Sequence, residues 1–276
     1  MELQSPLQPA AFSIDERRTS CKAHGLSNTA MCPRPNRSFN IPKQPPRIAK
    51  RVICFASFCI LGFFAAQAAD NQLTPAEKRQ GWLLLFDGKT LNGWLTSDLK
   101  PSRRPVEDGC INPHKSGHYM MVHTQQWADF ELTLDFKITN GCNSGIFVRT
   151  ASLTARPGKD VGFNGIEVQI LDSTNADYYD TGAIYDLSKP KKNNMRPAGQ
   201  WNHISITCRG PIIEVVLNGE KVNHIDLEQF TEPNKRPDGT AHKFDIAYKE
   251  HPRKGYIGLQ DHGADCWFKN IKLRPL

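Results

Sequence analysis

The 276-residue chain has no cysteine pair spaced C-x-x-C, no internal repeat and no long stretch of helical period. Without paired thiols there is no framework for a thiolate zinc site. Without repeats there is no solenoid or blade array. Without helical period, short strands must supply the core. The body also lacks an excess of charge. The formal net charge is +7, but residues 1–69 carry nine Lys/Arg against three Asp/Glu, whereas residues 70–276 carry 26 against 25. The basic balance therefore belongs to the first segment. A nucleic-acid-binding body has no electrostatic support. The longest apolar run, from Val52 to Phe64, is short for a spanning helix.

That run has a different reading. Arg47, Lys50 and Arg51 precede it, and Ala65-Ala66-Gln67-Ala68-Ala69 follows it. A charged segment, an apolar segment and an A-x-A site describe a signal peptide cut after Ala68 or Ala69. An uncleaved N-terminal anchor is the alternative. Residues 1–46 are rich in Pro, Ser and Arg and lack periodicity, which reads as disorder, and Met31 is an alternative start. The expected organisation is a disordered extension and signal peptide over 1–69, a short linker or helix over 70–79, and one domain over 80–276. The expected location is outside the cytoplasm, periplasmic or extracellular, with no stable membrane span after cleavage. Export permits disulfides among Cys110, Cys142, Cys208 and Cys266. Four cysteines allow three connectivities, and buried free thiols are the favoured reading.

The body reads as all-β. Thr74, Pro75 and Glu77 carry the signature of a capping box, so a short helix opens the chain and Gly81 ends it. The run Trp82 to Phe86 precedes a turn at Asp87-Gly88-Lys89-Thr90. Strands are expected at 118–123, 129–138, 200–208, 211–217, 220–225, 255–260 and 266–273. Phe130 to Phe136 alternates over seven residues. Arg209-Gly210 and Asn218-Gly219 are hairpin turns. Residues 190–197 and 228–236 are polar, Pro-containing loops.

Two further strands have a site-like character. In Gly165 to Asp172, Ile166, Val168 and Ile170 share one face, and Glu167 and Gln169 share the other. In Asn143 to Arg149, Arg149 shares a face with Phe147 and Gly145. Polar groups in mid-strand are costly to bury and need partners. An ordinary solvated sheet face is the alternative.

A set of short motifs then recurs in a fixed order. It comprises Leu85 to Trp94, Asn143 to Arg149, Glu167 to Asp172, Thr181 to Tyr185, Gly199 to Asn202, Leu217-Asn218-Gly219, Gly258 to Gly263 and Phe268 to Ile271. In these the chain resembles the 3-keto-disaccharide hydrolase domain, also described as a 3-keto-glucoside lyase and 3-keto-2-hydroxyglucal hydratase domain. The resemblance covers about residues 73–276. It implies a concanavalin-like jelly roll of two antiparallel sheets, export, and action on oxidised (3-keto) sugar glycosides. Cys142, Cys266 and the Lys/Pro-rich stretch 189–197 depart from the pattern.

The implied chemistry starts from a ketone at C3, which acidifies the hydrogen on C2. A base removes it, an enolate forms, the C1 substituent leaves, and water adds to the glucal. This needs a base, a stabiliser for the enolate oxygen and an acid for the leaving oxygen. Glu167, Asp172 and His262 are the candidate acids and bases, and Arg149 the candidate cation. Asn143, Gln169, Tyr185 and Gln260 are candidates for holding sugar hydroxyls. Trp94 or Trp201 could stack on a ring or belong to the core. Each also has a bland reading: Arg149 and Glu167 as a structural ion pair, His262 as a turn residue, Asp172 as a cap on the following loop. The pattern Glu167-x-Gln169-x-x-Asp172 resembles the E-x-D-x-x-E strand of jelly-roll retaining glycosidases, with a bulge returning the last acid to the same face. Its neutral centre and shorter last acid favour elimination over double displacement. No cofactor is expected. A structural calcium has no clear ligand cluster. The competing readings are a glycan-binding lectin and a classical glycoside hydrolase.

Overall fold

The computed structural model describes residues 69–276. The expected signal peptide and extension lie outside the described residues, apart from Ala69. The described chain opens with helix α1, Pro75–Arg79. Thr74 caps it: Thr74 Oγ1 accepts from Glu77 N at 3.1 Å, and Thr74 N donates to Glu77 Oε2 at 2.7 Å. Two orphan amides are thus satisfied reciprocally.

Everything else of regular length is strand, or short 3₁₀ turn. The strands are β1 (Leu83–Leu84), β2 (Trp94–Thr96), β3 (Met120–Trp127), β4 (Phe130–Ile138), β5 (Asn143–Thr150), β6 (Ile166–Leu171), β7 (Asn202–Arg209), β8 (Ile212–Leu217), β9 (Glu220–Asp226), β10 (Gly255–Gln260) and β11 (Cys266–Pro275). They form a six-stranded sheet in the order β1-β11-β4-β7-β8-β9 and a five-stranded sheet in the order β2-β3-β10-β5-β6. Every neighbouring pair is antiparallel. The all-β jelly-roll sandwich expected from the sequence is therefore present.

Alternation places the core. In β4, Phe130, Leu132, Leu134, Phe136 and Ile138 are fully buried, while the residues between them are not. Each such side chain contributes about 2 kcal/mol of apolar burial. They meet Ile146, Val148, Ile166, Val168, Ile170, Ile257 and Leu259 of the five-stranded sheet in one cluster. Trp94 joins this core, and its Nε1 donates to Leu85 O at 2.7 Å, so it is no sugar platform. Trp201 borders the outer face of the six-stranded sheet, where Lys269 sits 4.3 Å from its ring centre. Asn218 and Gly219 both take positive φ between β8 and β9, as a two-residue hairpin turn requires.

Two departures matter, and the cysteines follow the favoured reading. Strand β3 continues to Trp127 rather than stopping at 123, because the register shift between Tyr256 and Gly258 of β10 breaks its alternation. The 228–236 loop is not peripheral, since Phe230 and Arg236 are buried. Cys110, Cys142, Cys208 and Cys266 are all buried free thiols, and the side chains of Cys142 and Cys266 touch. Among the described residues no helix is long and apolar enough to cross a membrane.

Candidate active site

The outer face of the five-stranded sheet carries a second, smaller apolar cluster of Met120, Val122, Phe147 and Val161. The polar residues predicted from alternation lie on this face. Gly258 of β10 opposes Phe147 of β5, which opposes Glu167 of β6. One step along, Gly145 opposes Gln169, and Gln260 follows Leu259, the partner of Ile146. Two cross-strand rows result: Gly258–Phe147–Glu167 and Gln260–Gly145–Gln169.

Gly145 is the reason these rows make a site. A Cβ there would overlap the Glu167 carboxylate and lie 2.8 Å from its Cγ. The missing side chain leaves a slot across the sheet, and Glu167 leans into it between the two amides. Gln169 donates through Nε2 to Asn143 Oδ1 at 3.0 Å, and Gln260 through Nε2 to Tyr119 Oη at 3.0 Å. The Oε1 atoms of both glutamines are buried without a partner. Both side chains are nearly inaccessible, at 2% and 4% exposure. Buried acceptors left open are costly, so these two atoms are candidates for a donor that a ligand brings.

Loops wall the slot. Tyr119 immediately precedes β3 and stacks edge-on against Phe147, with centroids 6.0 Å apart. Tyr185 follows β6, donates its backbone N–H to Glu167 O at 2.9 Å, and meets Tyr179 at 5.3 Å between ring centres. Lys243 extends its ammonium over Tyr185, 4.3 Å from the centroid. Its loop is anchored from beneath: Asp186 Oδ2 accepts from Lys243 N at 2.8 Å, and the buried Arg236 pairs with the same carboxylate.

Burial dominates the electrostatics. The Glu167 carboxyl is pushed up to about 8, chiefly by loss of solvent; Lys243 opposes that shift, Asp160 adds to it, and the Gln260 amide opposes it. Tyr119 is pushed well above the usual phenol range, first by burial and then by Glu167. Tyr185 is raised for the same two reasons. The face thus holds a carboxyl poised near neutrality, two phenols that keep their protons, a cation and two open amide oxygens. Such a pairing suits proton transfer at neutral pH. Among the described residues no group of three or more His, Cys, Asp or Glu is placed to hold a metal ion.

Three expected participants stand elsewhere. Arg149 does not share the face of Glu167. Its φ is +51°, and Val148 and Arg149 together oppose Ile257 alone, a bulge that turns the side chain away. Its fully buried guanidinium donates to Ala128 O at 3.0 Å, Gly210 O at 2.7 Å and Asp129 Oδ1 at 3.0 Å. It ties the β3–β4 turn to the β7–β8 turn. Asp172 also leaves the face, because β5 and β6 pair without a bulge from Asn143↔Leu171 to Val148↔Ile166. No irregularity returns it beside Glu167, and its Oδ2 accepts from Gly141 N at 2.7 Å. His262 is exposed in the β10–β11 loop, with no side-chain hydrogen bond among the described residues. The structure brings together Asn143, Glu167, Gln169, Tyr185 and Gln260. Tyr119, Lys243 and the neighbouring Asp160 were missed. Lys243 and Asp160 sit in loops without periodicity; Tyr119 fell within the expected strand 118–123, and its aromatic ring before Met120-Met121 was the one usable signal.

Comparison with known proteins gives the family. Residues 81–274 match the family described as the 3-keto-alpha-glucoside-1,2-lyase-like domain. The chain is 30% identical over 243 residues to a 3-keto-disaccharide hydrolase of Bacteroides thetaiotaomicron, covering 76% of this chain and 83% of that protein. It also resembles two crystal structures of candidate glycosyl hydrolases from Parabacteroides distasonis ATCC 8503. One is 33% identical with a TM-score of 0.61, covering 71% of this chain and 99% of the other. The second is 25% identical with a TM-score of 0.64, covering 75% and 100%. The chain belongs to the 3-keto-alpha-glucoside-1,2-lyase-like domain family.

Proposed function

We propose that this protein is an exported enzyme that cleaves 3-keto-glycosides by elimination and hydration. The observation that carries the reading is the Glu167 carboxyl, lying in the Gly145 slot with its acidity pushed to about 8. A keto-glucosyl unit laid on this face meets the open Oε1 atoms of Gln169 and Gln260 with its hydroxyl hydrogens. Glu167, in its ionised form, takes the hydrogen from C2. The electron pair moves into the C2–C3 bond and the C3 oxygen becomes an enolate. Lys243 is the cation on this side of the slot and stabilises that oxygen. As the enolate collapses, the C1–O bond breaks. Tyr119 accepts a hydrogen bond from Gln260, so its own hydrogen is free for the departing oxygen. Water then adds to the glucal, with hydroxyl at C1 and a proton at C2, and the net reaction is hydrolysis. The family and the named 3-keto-disaccharide hydrolase relative support this substrate class.

A second carboxyl, Asp160, lies near Glu167 and favours a classical glycosidase as the competing reading. The test is to offer the protein a glucoside and its 3-keto form and follow release of the C1 group. The keto form reacts and the parent is nearly inert, because only the ketone acidifies C2–H. Solvent deuterium enters C2 of the product. Comparable cleavage of the unoxidised glucoside, without C2 exchange, would overturn elimination in favour of glycosidase action. Binding of both sugars without turnover would reduce the site to a lectin. Intact-mass analysis of secreted protein checks export, with an expected N-terminus at Ala69 or Asp70.

A further inference from the structure

Beyond Tyr119 lies a hollow of about 570 Å³, lined by Arg103, His114, Lys115, His118, Tyr119 and Asp261 among others. Its wall is shared with the candidate active site, since the Tyr119 hydroxyl accepts from Gln260 on the Glu167 face. Its one carboxylate is already consumed. Asp261 accepts from His114 Nδ1 at 3.1 Å, from Lys115 N at 2.9 Å and from Gly263 N at 3.0 Å. By contrast, the side chains of Arg103 and Lys115 make no hydrogen bond or ion pair among the described residues. Exposed cations alone would be unremarkable on a soluble surface. Here the backbone is shaped to present them. Lys115 takes φ of +62° and Gly117 φ of +117°. A Cβ on Gly117 would sit 3.2 Å from Arg103 Nε, so the glycine lets the arginine lie across the turn. Arg103 N also donates to Ser116 O at 2.7 Å, fixing the arginine's backbone against that turn. His118 Nδ1 is held by Ser97 Oγ at 2.6 Å, which orients its ring at the rim.

We propose that this hollow is the subsite for the leaving half of the substrate, and that it favours leaving groups bearing an anionic substituent such as a carboxylate. The inference rests on the reading above, in which Tyr119 protonates the departing oxygen. If the reacting ring lies on Glu167 and its C1 oxygen faces Tyr119, the group attached there extends into the hollow. Its free donors are then a guanidinium and an ammonium, with the oxygens of the neighbouring acid already hydrogen-bonded. Exposed pairs of this kind contribute modestly, so the preference is expected to be about 5- to 10-fold at low ionic strength and to shrink with salt.

The experiment compares 4-carboxyphenyl and 4-carbamoylphenyl 3-keto-glucosides, which match in shape and differ in charge. The readout is the ratio of their kcat/KM values in the wild type and in the Arg103→Gln/Lys115→Gln double variant. The expected result is a ratio 5- to 10-fold higher in the wild type, carried by KM and lost in 0.5 M NaCl. An equal ratio in both proteins overturns the subsite, whatever the rates. If neither compound is turned over, the elimination reading fails, and the subsite is judged by calorimetric titration of the corresponding unoxidised glucosides. Tighter wild-type binding of the carboxylate, lost in the double variant, supports it. Equal or absent binding of the two overturns it.

Discussion

Replacing Glu167 by glutamine isolates what it costs to hold a carboxyl group in the Gly145 slot. The native carboxyl ionises near 8, against an ordinary value of 4.5. At about 1.36 kcal/mol per tenfold change in acidity, the full difference corresponds to about 5 kcal/mol. Glu167 keeps partial contact with water, so about 2–3 kcal/mol is the expected effect. Below pH 4.5 both folded and unfolded forms are protonated, and the substitution changes little. Between 4.5 and about 8 the unfolded chain ionises while the folded chain holds its proton, so the wild type loses stability as pH rises. Above about 8 the loss is complete. Glu167→Gln escapes it, because the amide keeps the shape and never ionises. The stability gain of the variant should therefore be near zero at pH 4.5 and grow to roughly 5–10 °C in Tm at pH 8.5, for a fold of this size. Thermal unfolding across this range reads it directly. Activity on a 3-keto-glucoside should fall about 10²–10⁴-fold, since the amide cannot take the C2 proton. In the wild type the rate should rise with pH through about 8, as the base ionises. A Tm difference independent of pH, or a less stable variant at pH 8.5, would refute the burial argument.

Gly145→Ala tests the slot from the other side. The new Cβ meets the carboxylate, so activity should drop at least tenfold while the extended backbone at this position tolerates alanine; wild-type activity in a folded variant would show that the slot is unnecessary. Arg149→Met should lower stability by about 3 kcal/mol in denaturant titration, because it strips Ala128 O, Gly210 O and Asp129 of a buried donor. Its remaining folded fraction should keep KM within a factor of about two, and a large selective loss of kcat in stable protein would return Arg149 to the site. Lys243→Met should cut kcat by about tenfold or more with little change in Tm, because Lys243 is exposed and methionine keeps an apolar stem against the rings of Tyr185, Phe163 and Phe244. An unchanged kcat would remove it as the enolate's cation.

The sequence by itself determined the strands and their faces. Period-two alternation in Phe130 to Ile138, the Asn218-Gly219 turn and the Thr74–Glu77 capping box are local properties, and each forms where its residues stand. The same alternation put Glu167 and Gln169 on one face, and the unbroken β5–β6 register kept them there. The ordered motifs pointed to the family. Tertiary structure alone decided which polar residues meet. Whether Arg149 faces the site depends on how many residues oppose Ile257, a property of the pairing that one strand cannot carry. Asp172 was placed by a bulge that its resemblance suggested and the actual register lacks. Lys243 comes from a loop with no period, and it reaches the slot because Asp186, far along the chain, anchors that loop through Lys243 N and Arg236. The pKa of Glu167 is likewise a tertiary fact: a glutamate in mid-strand is ordinary until Gly145 opens a slot that largely buries it.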